Sequence, residues 1–139
     1  MIKVLIAEDN AVNRELLREL LEARGYAVVE ACDGEEALTV IEQTQPDILL
    51  LDIGMPVLDG FAVVRRLREN PRFASLPVVA VTAYAMQGDR EKILTSGFDG
   101  YLSKPINPSA LQQELERLQS KANPKQGPGS RANVARRGS

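Results

Sequence analysis

Three short runs of uninterrupted apolar residues set the frame: Val4-Leu5-Ile6-Ala7, Ile48-Leu49-Leu50-Leu51 and Val78-Val79-Ala80-Val81. None of them alternates with polar residues. Each therefore predicts a strand covered on both faces, as in a parallel sheet wrapped by helices. A helical pattern follows each run. Val12, Leu16, Leu17, Leu20 and Leu21 recur at helical spacing as far as Arg24, with Gly25 placed to close the helix. Ala27 to Ala31 predicts a second strand. Asp33 with Glu36 three positions on is a capping signature, opening a helix that runs through Ile41 and stops before Pro46. Phe61, Val64 and Leu67 give a third helical face, and Asn70-Pro71 and Leu76-Pro77 interrupt the chain before the next strand. Met86, Ile93 and Leu94 mark a shorter fourth helix ending at Gly97, and Tyr101-Leu102 is a brief fifth strand. Asn107 as cap, Pro108 at the first helical position and the stripe Leu111, Leu115, Leu118 predict a last helix.

Strand and helix thus alternate five times. Right-handed crossovers turn that alternation into an α/β fold, a doubly wound, flavodoxin-like parallel sheet of five strands in the order 2-1-3-4-5 with five helices. No internal repeat is visible. The 139 residues, 44% hydrophobic and 26% charged, suit one such domain, read as residues 1–120, with a tail over 121–139.

Charge changes the picture of that tail. Ala122 to Ser139 holds four basic residues and no acidic one, and without them thirteen basic residues face nineteen acidic ones, a net of −6. The acidic body offers no basic stripe for nucleic acid. The basic tail, rich in Gly, Pro, Ser and Asn, is expected to be a disordered extension or the start of a linker. The N-terminus runs directly into Glu8-Asp9 with no signal-peptide pattern, and no apolar run reaches membrane-spanning length, so a cytoplasmic location is expected.

A single cysteine and the absence of histidine exclude an internal disulfide, a Cys/His zinc site and every catalytic arrangement that needs imidazole. Cys32 reads as a small buried or half-buried apolar residue without a redox role, since neither a basic neighbour nor a second thiol is evident. Asp33, Asp47, Asp59 and Asp99 fit turns and caps, and Met55 and Met86 fit loop packing.

Chemistry is expected where strands end, because ligands of open α/β sheets bind beyond the carboxyl edge. Glu8-Asp9 follows strand one, Asp52 strand three, Thr82 strand four and Lys104-Pro105 strand five. Carboxylates crowded there need protons or a divalent cation, and an all-oxygen donor set without histidine suits Mg²⁺, with Asp9 and Asp52 as its holders. Lysine and threonine beside them could bind the remaining oxygens of a phosphoryl group, with Asp52 as nucleophile forming an acyl phosphate.

These residues resemble the receiver domain of two-component response regulators. The resemblance covers about residues 2–120 and rests on Glu8-Asp9, on Leu51-Asp52-Ile53-Gly54-Met55-Pro56 leading to Asp59-Gly60, on Thr82-Ala83 and on Lys104-Pro105 after Tyr101. It implies that Asp52 takes a phosphoryl group from a phosphohistidine on a partner histidine kinase or phosphotransfer protein. It further implies Mg²⁺ bound by Asp9, Asp52 and the Gly54 backbone carbonyl, with Glu8 acting mainly through water, and Thr82, Ala83 and Lys104 at the phosphoryl group. A cis Lys104-Pro105 bond is expected. Thr82 and Tyr101 would be the switch pair, changing a surface of helix four, strand five and helix five that meets a protein partner or a second copy. Such a protein is a signalling switch and not an enzyme on other substrates, catalysing only its own Mg²⁺-dependent phosphorylation and dephosphorylation. Gly54 and Tyr84 stand where receivers tune phosphoryl lifetime; Gly54 is smaller than is usual and exposes the group, while Tyr84 covers the other side. The pattern Glu8-Asp9-Asn10 with Asn13-Arg14 looks like receivers of hybrid kinases and like single-domain cell-cycle regulators, so the expectation is a stand-alone receiver or one cut from a larger protein.

Rival readings lack their residues. A nucleotide or flavin binder needs a glycine- or hydroxyl-rich loop where Glu8-Asp9-Asn10 stands. A phosphatase resembling the haloacid dehalogenases needs a second aspartate where Gly54 stands. A receiver-like scaffold that is never phosphorylated has no need of the full set of acids, Thr82 and Lys104.

Overall fold

The computed structural model describes residues 1–83 and 87–122. Its elements run β1 (Lys3–Ala7), α1 (Ala11–Glu22), β2 (Ala27–Ala31), α2 (Gly34–Thr44), β3 (Ile48–Asp52), α3 (Gly60–Glu69), β4 (Val78–Thr82), α4 (Gln87–Thr95), β5 (Gly100–Ser103) and α5 (Pro108–Ala122). All pairings are parallel and the order is β2-β1-β3-β4-β5. The chain divides into a unit over Met1–Asn107 and a second that starts at Pro108 and contains α5, whose Leu111, Leu115 and Leu118 are buried.

Every residue of β3 and β4 is buried, which is why their sequences carry no alternation. The pleat still sorts them. Leu5, Leu49, Leu51, Val78 and Ala80 join one core cluster with Ala37 and Ile41 of α2, Val63, Val64 and Leu67 of α3, and Ile93 of α4. Val4, Ile6, Leu50 and Val79 point the other way, the side of α1, whose buried residues are Leu17 and Leu21.

Helix starts follow the capping residues. Asn10, Asp33 and Asp59 accept hydrogen bonds from the amides of Asn13, Glu36 and Ala62, and Glu36 reaches back to the Cys32 amide. Several details depart from the pattern reading. Of the five α1 positions named above, Val12 and Leu16 are 77% and 49% exposed, because the helix turns only a narrow stripe inward. The helix ends at Glu22, and Gly25, at φ +88°, serves the turn into β2. Leu94 faces outward at 49% exposure. Asp52 and Thr82 are the last residues of their strands, not the first beyond them. Cys32 is exposed, since it follows β2, an edge strand of the sheet.

Candidate functional site

The parallel register brings the site together. Ala7 pairs with Leu51 and Asp52 with Val81, so the ends of β1, β3 and β4 finish side by side at one sheet edge. Three polar residues are buried there: Glu8, Asp52 and Thr82. Glu8 continues from β1, its amide donating to the Ala31 carbonyl at 3.1 Å, and Asp9 beyond it is exposed. Lys104, just past β5, donates its backbone N–H to the Thr82 carbonyl at 2.8 Å, and the Lys104–Pro105 bond is cis.

Both oxygens of Asp52 are tied down. Oδ1 accepts from the Gly54 amide at 3.0 Å and Oδ2 from the Lys104 ammonium at 3.1 Å. The same ammonium lies 2.8 Å from Glu8 Oε1. Gly60 makes this close packing possible: a Cβ there would stand 2.8 Å from the Ile53 Cα and 3.1 Å from the Asp52 carbonyl oxygen, so the start of α3 presses on the end of β3 only without a side chain. Asp59 and Gly60 thus serve structure, as cap and as contact.

One carboxylate oxygen each from Glu8, Asp9 and Asp52 lies within 4.8 Å of the others. Glu8 Oε1 is buried, with the Lys104 ammonium at 2.8 Å as its counter-charge. Three carboxylates against the Lys104 ammonium leave the cluster short of positive charge, and its donors are all hard oxygens. That combination fits a small divalent cation such as Mg²⁺.

The response regulator receiver domain family matches residues 4–116. The chain belongs to that family. Among curated proteins it is 42% identical over 104 residues to the polar-differentiation response regulator DivK of Brucella anthropi, covering 75% of this chain and 85% of that one. Among solved structures it is similar to the receiver domain of sensor histidine kinase PA1611 from Pseudomonas aeruginosa (38% identity, TM-score 0.78, covering 84% and 96% of the two chains). It is similar as well to the chemotaxis protein CheY4 of Vibrio cholerae (31% identity, TM-score 0.79, covering 85% and 98%). The PA1611 crystal holds a magnesium ion coordinated in its active site cleft.

At this receiver's site the half-buried Lys104 ammonium meets the buried carboxylates of Glu8 and Asp52. Burial, with Asp52 alongside, pushes the Glu8 carboxyl above its ordinary range against the opposing pull of Lys104 and the Asn10 amide. Burial alone would lower the Lys104 ammonium, but its contacts with Glu8 and Asp52 together outweigh that and raise it, so it stays charged. Cys32 gains no activation: desolvation, then Glu36 and Asp33, raise its thiol against the single opposing charge of Arg14.

Beside the receiver's acidic cluster runs a groove of about 300 Å³ lined by Asn13, Leu16, Leu17, Pro105 and Ile106 as well as Glu8 and Lys104. Ala83, the residue after β4, is exposed. Tyr101 is half-buried, its hydroxyl 2.6 Å from the Arg90 guanidinium, which also lies 5.5 Å from the ring centroid. Tyr84, Met86 and residues 123–139 lie outside the described residues. Arg68 and Arg90 are the residues that sequence reasoning passed over, and Arg14 enters it only as part of a pattern, without a contact. Each binds across a long separation or to a backbone carbonyl, and neither partner is visible from residue type.

Proposed function

We propose that this receiver is a phosphorylation-dependent switch whose acceptor is Asp52. The observation that carries the reading is the Asp52 carboxylate, buried at the sheet edge and held between the Gly54 amide and the Lys104 ammonium beside Glu8 and Asp9. An Asp52 oxygen attacks the phosphorus of a phosphohistidine on a partner histidine kinase or phosphotransfer protein. The P–N bond breaks, its electron pair returns to the imidazole nitrogen, and that nitrogen takes a proton from water. The product is an acyl phosphate, which water returns to carboxylate and inorganic phosphate. Lys104, Thr82 and the Ala83 amide would donate hydrogen bonds to the oxygens of the transferred group.

Mg²⁺ would be held by Asp9, Asp52 and the Gly54 carbonyl, with Glu8 acting through water, and when bound it neutralises phosphoryl oxygens that the carboxylates would otherwise repel. The magnesium ion in the PA1611 receiver supports this assignment. The receiver chemistry extends no further than its own phosphorylation and dephosphorylation, with no other substrate turned over. The apolar walls of the groove, Leu16, Pro105 and Ile106, suit contact with the phosphohistidine-bearing protein. Output runs through Thr82, Tyr101 and the α4–β5 surface, where a change of Tyr101 away from Arg90 would be read by a protein partner. Among the described residues no helix is long and apolar enough to cross a membrane. A cytoplasmic site of action fits a phosphohistidine donor.

The test is intact mass after incubation with phosphoramidate, with and without Mg²⁺, beside Asp52→Asn. One added phosphoryl group that needs both Mg²⁺ and Asp52 is expected. A folded, Mg²⁺-binding protein that gains no mass under any condition would instead be a receiver-like scaffold.

A further inference from the structure

Segment 8–10 carries the acidic pair, and the geometry points to Arg14 as the residue that positions it. This inference rests on the Mg²⁺ site proposed above. Arg14 Nη1 donates to the Glu8 carbonyl oxygen at 2.8 Å, while its Nε lies 3.7 Å from Glu30 Oε1. The Glu8 carbonyl belongs to the peptide plane that continues into Asp9, so fixing that oxygen fixes where the Asp9 amide and Cα stand, the base from which its side chain reaches the cluster. The other contacts of the segment hold its two flanks, with Asn10 on the far side of Asp9 fixed by the amides of Asn13 and Arg14. The Glu8 amide is tied to Ala31, and Glu8 Oε2 accepts from the Asn10 amide at 3.1 Å. Asp9 is exposed, and its placement depends on the backbone it stands on.

Glu30 is itself anchored. It sits on β2 opposite Ile6 and also takes Arg18 Nη1 at 3.0 Å, and Arg18 Nε in turn meets Glu22 at 3.1 Å. Arg14 therefore forks between a fixed carboxylate and the loop carbonyl, which a guanidinium can do and a lysine ammonium, as a single point, does poorly. Such support around metal ligands typically changes affinity about ten- to a hundredfold. The Asn13-Arg14 pair of the sequence thereby gains a role for its second member.

The experiment is Mg²⁺ titration by calorimetry of the full chain, paired with urea unfolding in chelator, for Arg14→Gln, Arg14→Lys, Glu30→Gln and Arg18→Gln. Arg14→Gln should raise the Mg²⁺ Kd by about tenfold, with Arg14→Lys and Glu30→Gln between it and the unaltered protein. Arg18→Gln shares the Glu30 contact without touching the loop, so it should lose stability and keep the unaltered Kd. A purely structural Arg14 would show a Kd unchanged in Arg14→Gln, or raised equally by Arg18→Gln, and either result overturns the inference. Absence of Mg²⁺ binding by the unaltered protein overturns the site reading beneath it.

Discussion

Lys104 and Asp52, separated by 52 positions in the chain, meet at 3.1 Å between Nζ and Oδ2, and the same ammonium serves Glu8 at 2.8 Å. Lys104 thus does two opposed things. Under the proposed function it would supply the positive charge that a transferred phosphoryl group needs, and it would compete with a divalent cation for the same carboxylates. Lys104→Gln is expected to slow phosphorylation by phosphoramidate by about a hundredfold, the effect of removing one preorganised donor. It should at the same time tighten Mg²⁺ binding. Calorimetry and intact-mass kinetics on one preparation check both, and a variant that weakens both together would mean that Lys104 acts only by holding the site's shape.

Glu8 makes acid stability depend on the site. Its carboxyl is raised above 4.5 by burial and by Asp52, so just above that pH the folded protein binds more protons than the unfolded chain. Stability supplied by this group is therefore greatest at or below that pH and falls as pH rises through the folded value, then levels off. In chelator, Glu8→Gln should flatten this step and leave the protein more stable than the unaltered chain near neutrality. Urea midpoints across a pH series measure it. With saturating Mg²⁺ the order should reverse, since only the carboxylate gains from the cation.

The sheet and the polar ends of its strands were legible in the sequence because burial on both faces leaves no choice of residue: β3 and β4 carry apolar side chains until the site begins at Asp52 and Thr82. The caps at Asp33 and Asp59 were legible for a similar reason, since each bonds an amide three residues away, whereas Asn10, which caps α1 in the same way, stood out only within the acidic motif. What stayed hidden depends on distant backbone. Leu16 has the helical spacing of a core residue yet lines a groove beside Lys104, and only the fold decides which. Asp99, read as a turn residue, accepts from the Val78 amide and from Arg68, both far off in the chain.

Arg68 is the clearest of these hidden elements. From α3 it donates to the carbonyls of Gly97, Phe73, Ala74 and Leu76 and to Asp99 Oδ2, tying the approach to β4 to the turn before β5. Its bonds go mainly to loop carbonyls in partly buried positions, so Arg68→Met should cost about 2–3 kcal/mol. Arg68→Lys should recover less than half of that, lacking the fork. Urea unfolding gives the loss, and an unchanged Mg²⁺ Kd would separate this structural role from the site.

Val57 is the reverse case, a residue at odds with its backbone. It sits at φ +70° between Pro56 and Leu58, whose carbonyl and amide close a tight turn at 2.7 Å, and it is 70% exposed, so no packing offsets the strain. Val57→Gly should stabilise the protein by about 1 kcal/mol, because a three-residue turn at positive φ strains any residue with a Cβ and a β-branched one most. A fall in the urea midpoint would mean that Val57 makes a compensating contact.

Gly54 bears on how long a phosphoryl group would persist. A Cβ placed there meets nothing within 4 Å except Asp52 Oδ1 at 3.9 Å, and its φ lies outside the left-handed region. A larger residue is therefore sterically and conformationally free to stand over the acceptor. Gly54→Met should fold with unchanged stability and bind Mg²⁺ as before, since the metal contact proposed at this position is the backbone carbonyl. Its side chain would cover the approach to Asp52, and the acyl phosphate should decay several-fold more slowly when followed by loss of the phosphoryl mass after the donor is removed. An unchanged decay rate would place the attacking water on the opposite side, towards Thr82 and Ala83, and would make that side the one that sets the lifetime of the signal.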